Sequence, residues 1–275
     1  VNKPNIISNP VSISRFFEPI LNENNGQIIN VLYKNKRLIF DERSKYFPGQ
    51  LIVERPQGRY SRLAILERNI EATEILQNSP IIVECKKEEN NYAIRFCKVF
   101  EEDFAKRIEQ QWDFFENLPR IEITTTIWMK ENLDPLAVYM AFPFAIKSPR
   151  VFYDSMGSRV EVGVDQMPNT CGQYSTIQNG ISYIGEDFSL ALSTPDLPIG
   201  IFDAIVRNES RSVFKPKTGH FFSLICQNYW VTNFSVIRPA KLVLRHIIEC
   251  GGSNEEILPL DGLELWGYPS KGADS

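Results

Sequence analysis

The chain has 275 residues, of which 43% are hydrophobic and 12% aromatic, and its 30 Lys and Arg against 34 Asp and Glu leave a formal net charge of −4. That apolar content can pack a core and excludes a disordered or fibrous chain, while the slight acidic excess, with both signs interspersed, excludes a phosphate-binding surface as the main role, so no nucleic-acid partner is expected. No apolar run is long enough to cross a bilayer, and the N-terminus lacks a basic region followed by an apolar stretch, so neither a membrane association nor a signal peptide is expected.

In chain order, residues 1–24 read as a lead-in that ends at the turn Asn24-Asn-Gly26. Gln27–Tyr33 is the first strand candidate. Glu67–Gln77 holds Ile70, Ile75 and Leu76 among good helix formers and is a helix candidate of poor periodicity. Glu84-Cys-Lys-Lys-Glu-Glu89 mixes both signs and reads as a solvated turn. Arg95–Phe100 alternates as a strand does. Glu101–Leu118 has Phe104, Ile108, Trp112 and Phe115 at helical spacing, yet its flanks are strand-like, which favours a strand from Ile108 to Phe114.

Arg120–Trp128 is rich in β-branched residues and alternates, as a sheet with one covered face should. Further strand candidates are Leu136–Phe142, Val151–Tyr153, Ile177–Tyr183, Phe188–Ser193, His220–Cys226, Trp230–Val236 and Lys241–Glu249. Asn179-Gly180, Gly185-Glu-Asp187 and Gly251-Gly252 supply turn chemistry between them. Most of the 17 prolines fall between strand candidates, which suits loops and edges. So many strands call for a large sandwich or two stacked sheets, and the shortage of helices excludes a parallel α/β sheet. The expected architecture is all-β and mostly antiparallel, with the domain over 25–268 and a flexible tail over 269–275.

Five cysteines, Cys85, Cys97, Cys171, Cys226 and Cys250, form no CxxC pair; an odd number favours reduced thiols and a cytoplasmic protein. The sequons at Asn208 and Asn233 would matter only in a secretory setting. The only imidazoles are His220 and His246, and neither lies in HExxH or near a GxSxG elbow. No glycine-rich phosphate cradle is present. Motifs alone therefore assign no reaction.

Two stretches carry a resemblance. One comprises Ala137-Val-Tyr-Met-Ala-Phe-Pro-Phe144, Val162-Gly-Val-Asp-Gln-Met-Pro168, Gln178 and Leu190-Ala-Leu-Ser-Thr-Pro-Asp196. The other is Asn228-Tyr-Trp-Val-Thr-Asn-Phe234, followed by a strand with Arg245. Both resemble the β-rich carboxyl-terminal half of glycoside hydrolase family 38, the α-mannosidases and their bacterial relatives. Asn25–Tyr33, Leu38–Asp41 and Gly49–Ile52 resemble the first hairpin of the same region. The resemblance implies a galactose-mutarotase-like supersandwich. It also implies that zinc, the Asp nucleophile and the acid/base lie in an amino-terminal catalytic domain that nothing here matches. This chain would then hold no cofactor and no catalytic residue. Its partners would be that domain and a mannoside, and its start at Val1 rather than Met fits a piece of a longer protein.

The residues offered for carbohydrate binding are Asp165, Gln166, His220 and Trp230. Asp165 and Gln166 sit in a loop rich in Gly, Pro and Asn and can exchange hydrogen bonds with sugar hydroxyls, although such groups commonly satisfy loop amides. His220 follows Thr218-Gly219 at a strand start and can reach a cleft. Trp230 can stack on a sugar ring, but in a strand pattern Trp is more often core. Gln178, Asn228, Thr232 and Asn233 carry the same structural alternative. Two further readings stay open: a free-standing sugar epimerase, pairing His220 or His246 with Glu249 or Glu161, and a non-enzymatic carbohydrate-binding domain.

Overall fold

Arg120–Met129 alternates half-exposed and buried residues without a break, and this one-sided burial recurs along the chain. The structure, a computed structural model, describes residues 14–22, 26–55, 72–75, 82–87, 91–98, 104–132, 136–168, 172, 174–205, 215–228 and 240–260, with backbone alone for the segments between 72 and 98. The described residues form strands and no helix. In order they are β1 (Phe17–Leu21), β2 (Ile28–Tyr33), β3 (Arg37–Leu38), β4 (Gln50–Arg55), β5 (Ala72–Ile75), β6 (Ile82–Lys87), β7 (Asn91–Lys98), β8 (Ala105–Phe115) and β9 (Arg120–Met129). Then come β10 (Ala137–Phe144), β11 (Arg150–Ser155), β12 (Ser158–Glu161), β13 (Ser175–Thr176), β14 (Gly180–Ile184), β15 (Ser189–Ser193), β16 (Ile199–Phe202), β17 (Gly219–Gln227) and β18 (Lys241–Gly251).

They make a six-stranded sheet, β13-β16-β17-β10-β4-β5, a nine-stranded sheet, β12-β11-β14-β15-β18-β9-β8-β7-β6, and a small sheet, β1-β2-β3. All the strand pairings among them are antiparallel. The two large sheets face one another. Val138, Met140, Phe142, Phe144 and Phe221 of one meet Ile121, Ile123, Tyr183, Leu192 and Ile248 of the other in a single buried cluster. Burying each such side chain contributes about 1.5–3 kcal/mol. The small sheet closes one end: Phe17 packs on Phe114, Tyr33 on Phe188, and Phe40 stacks on Phe144 at 5.4 Å. The all-β, antiparallel, two-layer architecture expected from the strand pattern is the one observed.

Two details seat the layers. Gly49 has φ +69°, a conformation glycine adopts without strain. Its N–H donates to Ala141 O in the six-stranded sheet, and its carbonyl accepts from Gln110 Nε2 of β8 at 3.0 Å. Pro143 lies in β10 beyond the last rung with β4, where its carbonyl accepts the Asp41 amide, so its missing N–H costs no ladder bond.

Three expectations change. Ile82–Lys87 is a strand, so Glu84–Lys87 is not the expected turn; β6 pairs with β7 and ends the strand order of the nine-stranded sheet, because a sheet partner outweighs the local polarity. Ala72–Ile75, inside the helix candidate, pairs with β4 as a strand, because a sheet partner overrides weak local propensity. The stretch with helical spacing after Glu101 is strand β8, as its flanks suggested. Phe17–Leu21, within the expected lead-in, forms β1 with Phe17 in the core. Trp230–Val236, both sequons, Cys171 and the expected tail lie outside the described residues. Cys226 and Cys250 are free thiols, and burial pushes Cys226 up to about 12. No helix among the described residues is long and apolar enough to cross a membrane.

Between the sheets, His246 is fully buried, its ring 4.7 Å from that of Phe142 and its Nε2 3.0 Å from Ser223 Oγ. Burial pulls its pKa down to about 3 against a weak opposing pull from Asp196. The folded state therefore excludes a proton that the unfolded chain accepts below about pH 6.5. Unfolding then takes up a proton, so stability is intact above that pH and falls as pH drops towards 3, by about 1.4 kcal/mol per pH unit. Urea unfolding between pH 6.5 and 4 should show a His246→Gln variant losing that increment of slope relative to the wild type; equal slopes would contradict this account.

Candidate functional site

The three longest neighbouring strands, β8, β9 and β18, present one face to the core and the other outward. Their register sets the outward residues in rungs. Arg107, Trp128 and Lys241 form the first, followed by Glu109, Thr126 and Val243, then Gln111, Thr124 and Arg245. The next holds Asp113, Glu122 and Ile247, and Arg120 faces Glu249 beyond it. Strand alternation alone gathers these polar side chains on one face.

Most of the charges are held in place. Arg245 grips Asp196 through Nε and Nη2 at 2.9 and 3.0 Å, and its own amide donates to the same carboxylate. Arg120 donates twice to Glu249 Oε1, at 3.1 and 2.9 Å. Trp128 stands between Arg107 and Lys241, each just over 5 Å from its ring centre, in cation–π contact.

Asp113 and Glu122 bring two carboxyls together. They are direct cross-strand partners, so their Cβ atoms are about 4.5–5.5 Å apart, and like charges so placed repel. Gln111 Nε2 donates to both Asp113 oxygens, at 3.0 and 2.8 Å. Among the described residues Glu122 has a 3.9 Å approach from Arg120 Nη1, whose stronger bonds go to Glu249. Burial raises the Glu122 pKa; Asp113 and Glu249 add to the rise, and Arg120 and Arg245 oppose it. One carboxyl thus holds its proton more tightly than a free glutamate beside an acidic neighbour, a pairing able to donate and accept hydrogen bonds or exchange a proton.

The residues expected at the site are dispersed. Asp165 Oδ2 accepts the Glu161 amide at 2.7 Å, and Gln166 Oε1 accepts that of Gly163 at 3.1 Å. Both therefore close the turn after β12, at an edge of the nine-stranded sheet. Gln178 likewise accepts the Gly157 amide. His220 lies on β17 in the other sheet, its Nε2 3.7 Å from Asp41 Oδ2. Trp230 lies outside the described residues. The pairings proposed for an epimerase do not form: His246 is sealed in the core, Glu249 binds Arg120, and Glu161 binds Arg150. Asp113 and Glu122 escaped the sequence reading. The alternation of Arg120–Trp128 puts Glu122 on the polar face, but only the register of β8 against β9 brings Asp113 to it.

Among the described residues no three His, Cys, Asp or Glu side chains converge as a metal would require, so these residues do not fit a zinc site.

No protein-family model and no curated protein matches the sequence. Solved structures share the fold. An α-mannosidase from Enterococcus faecalis V583 matches with a TM-score of 0.54 and 10% identity, over 88% of this chain and 29% of that one. A protein in glycosyl hydrolase family 38 from Enterococcus faecalis matches with a TM-score of 0.56 and 10% identity, over 88% and 30%. A galactose mutarotase-like protein from Lactobacillus casei ATCC 334 aligns at 10% identity over 89% of this chain and 99% of that one, with a TM-score of 0.48. At such identities the likeness is one of fold, and this chain spans about 30% of the length of the two hydrolase chains.

Removing the Asp113 charge should release the hold on the Glu122 proton. Carbon-detected NMR titration should place the Glu122 carboxyl above an ordinary glutamate in the wild type and move it down in Asp113→Asn. A midpoint indifferent to that substitution would leave burial as the sole cause.

Proposed function

We propose that this chain is the carboxyl-terminal β-supersandwich of an α-mannosidase-like glycoside hydrolase, buttressing a catalytic domain on other polypeptide and lending polar side chains to a mannoside cleft. The observation that carries the reading is the fold likeness, which takes in 88% of this chain but only about 30% of the two hydrolase chains, so most of those chains has no counterpart here. The sequence resemblance in Ala137–Phe144, Val162–Pro168 and Asn228–Phe234 points the same way. Zinc, nucleophile and acid/base then belong to the amino-terminal domain. The outward face of the nine-stranded sheet suits the supporting role, because its arginines are already fixed by Glu249 and Asp196 and can meet a polyol or a neighbouring domain without further ordering. A protein comprising this chain and its amino-terminal domain should contain stoichiometric zinc and hydrolyse 4-nitrophenyl α-mannoside, while this chain alone does neither. Zinc bound stoichiometrically by the isolated chain would overturn the reading.

One observation favours a second reading, that of a sugar epimerase acting alone. A Glu122 carboxyl whose pKa burial raises, set directly across from the Asp113 carboxyl, is a feature that proton transfer at an anomeric centre can use. Polarimetry on a freshly dissolved α-anomer separates the two. The hydrolase reading expects no acceleration by the isolated chain, whereas an acceleration abolished by Glu122→Gln would establish the second.

A further inference from the structure

Asn179-Gly180 has a sequence usually met in tight turns, yet Gly180 opens β14 with a φ outside the left-handed region. Close approach, not turn geometry, requires the glycine. A Cβ there would stand 2.3 Å from Leu192 O and 2.7 Å from Pro259 Cβ, so any other residue would push backbone aside. The fold thus fixes a glycine at the start of β14, and the asparagine before it makes the pair chemically labile.

The hazard of an Asn-Gly pair is deamidation. The glycine amide nitrogen gives up its proton and attacks the asparagine Cγ. The new C–N bond closes a succinimide, and the side-chain nitrogen leaves with that proton as ammonia. Water then opens the ring at Cγ to give aspartate, or at the backbone carbonyl to give isoaspartate with an extra carbon in the main chain. Asn179 is only half-buried, so water reaches it. What governs the rate is the freedom of the glycine nitrogen to ionise and to turn towards Cγ.

In this pair that nitrogen is gripped. Asp154, on β11, accepts the Gly180 amide on Oδ1 at 2.9 Å and the Asn179 amide on both oxygens at 2.9 and 3.0 Å. The Asp154 backbone carbonyl takes the Gln178 amide at 2.9 Å, and the Thr194 amide donates to Asn179 O at 2.6 Å. The peptide unit that must rotate and ionise therefore has its N–H on a carboxylate and its C=O on the residue after β15. An anion accepting an N–H opposes loss of its proton, and such charge-assisted bonds are the stronger kind. The other Asn-Gly pair, Asn25-Gly26, differs at this point: the Gly26 amide donates to a neutral acceptor, Asn22 O, at 2.7 Å.

We propose that Asn179-Gly180 is a latent self-modification site that the Asp154 carboxylate holds unreacted. Once released, it would set a second carboxylate, or a lengthened main chain, at the start of β14 beside Asp154. Like charges there repel, so the modification would loosen the seam between β11 and β14. Asp154 is a positioning residue in this account. The proposal stands apart from the hydrolase reading, and failure of either leaves the other intact.

Incubation of the whole chain near neutral pH, followed by digestion and mass spectrometry, reads deamidation at Asn179 and Asn25 in the same molecules. Folded wild type should deamidate at Asn179 at least about tenfold more slowly than the chain unfolded in guanidinium chloride, the scale of one hydrogen bond to a charged acceptor. Asp154→Asn should speed Asn179 by a similar factor and leave Asn25 unchanged, a contrast that general loss of stability does not produce. Asp154→Ser, a smaller side chain without the charge, gives the same reading should Asp154→Asn not fold. Equal rates at Asn179 in folded and unfolded wild type would overturn the proposal without any variant. So would undiminished protection in a variant that melts with the wild type, or, in a variant that folds, acceleration of Asn25 in step with Asn179.

Discussion

The constraint on which the rest depends is that β10 is buried on both of its faces. All of its residues are inaccessible. Val138, Met140, Phe142 and Phe144 point into the space between the two sheets, while Ala137, Tyr139 and Ala141 point the other way, into a second apolar cluster with Ile52, Ile201 and Phe222. A strand covered on one face can alternate apolar and polar residues; a strand covered on both cannot, and β10 is accordingly apolar throughout. The buried Glu54 beside that second face is bonded, with Tyr139 Oη donating to its Oε2 at 2.9 Å. The six-stranded sheet is thereby committed to packing on both sides around β10.

That commitment decides where chemistry can be placed. The nine-stranded sheet covers one side of the core and leaves its other face along β8, β9 and β18 polar and partly accessible. A sheet built for stability alone would set opposite charges across each rung. Arg120 with Glu249 follows that rule, and Arg245 finds Asp196 from a loop. In the rung of Asp113 and Glu122 two carboxyls face one another instead, with Gln111 donating to Asp113. Local departures from the most stable arrangement are where a binding or catalytic role is most reasonably sought.

How much of this was legible in the sequence follows from what a single strand can encode. The strand candidates matched β9, β10, β15, β17 and β18 to within a few residues: burial of one face imposes the alternation of β9, whereas β10 and β15, buried throughout, showed as short apolar runs. Patterning did not identify β6, which ends the strand order of the nine-stranded sheet, or β5, which exists through its partner β4. Asp165 and Gln166 were singled out for polar chemistry in a turn, and their described contacts show why that signal is weak. The same acceptor oxygens that would hold a hydroxyl hold the amides of Glu161 and Gly163. His220 was singled out for its place at a strand start, and the start of β17 lies beside the β3–β4 crossing that carries Asp41. Asp113 opposite Glu122 required the register between two strands, which no local pattern contains.

Register also separates stability from recognition. On β8, Gln110 and Trp112 face inward, where Trp112 Nε1 donates to Gln110 Oε1 and Gln110 Nε2 reaches Thr125 Oγ1 and Gly49 O. Gln111 and Asp113, one residue along, face outward. On β18, His246 is sealed against Phe142, while Arg245 and Ile247 lie on the opposite face. A one-residue slip of either strand would exchange the two sets, turning Asp113 into the apolar core and Trp112 out of it, at a cost of several kcal/mol from placing a charge among apolar side chains. The inward polar groups Gln110 and Thr125 bond mainly within the core and seat the sheets in one alignment. The outward groups are thus presented in fixed positions by contacts they do not themselves make, which is the condition under which a polar surface can discriminate among ligands instead of adapting to each.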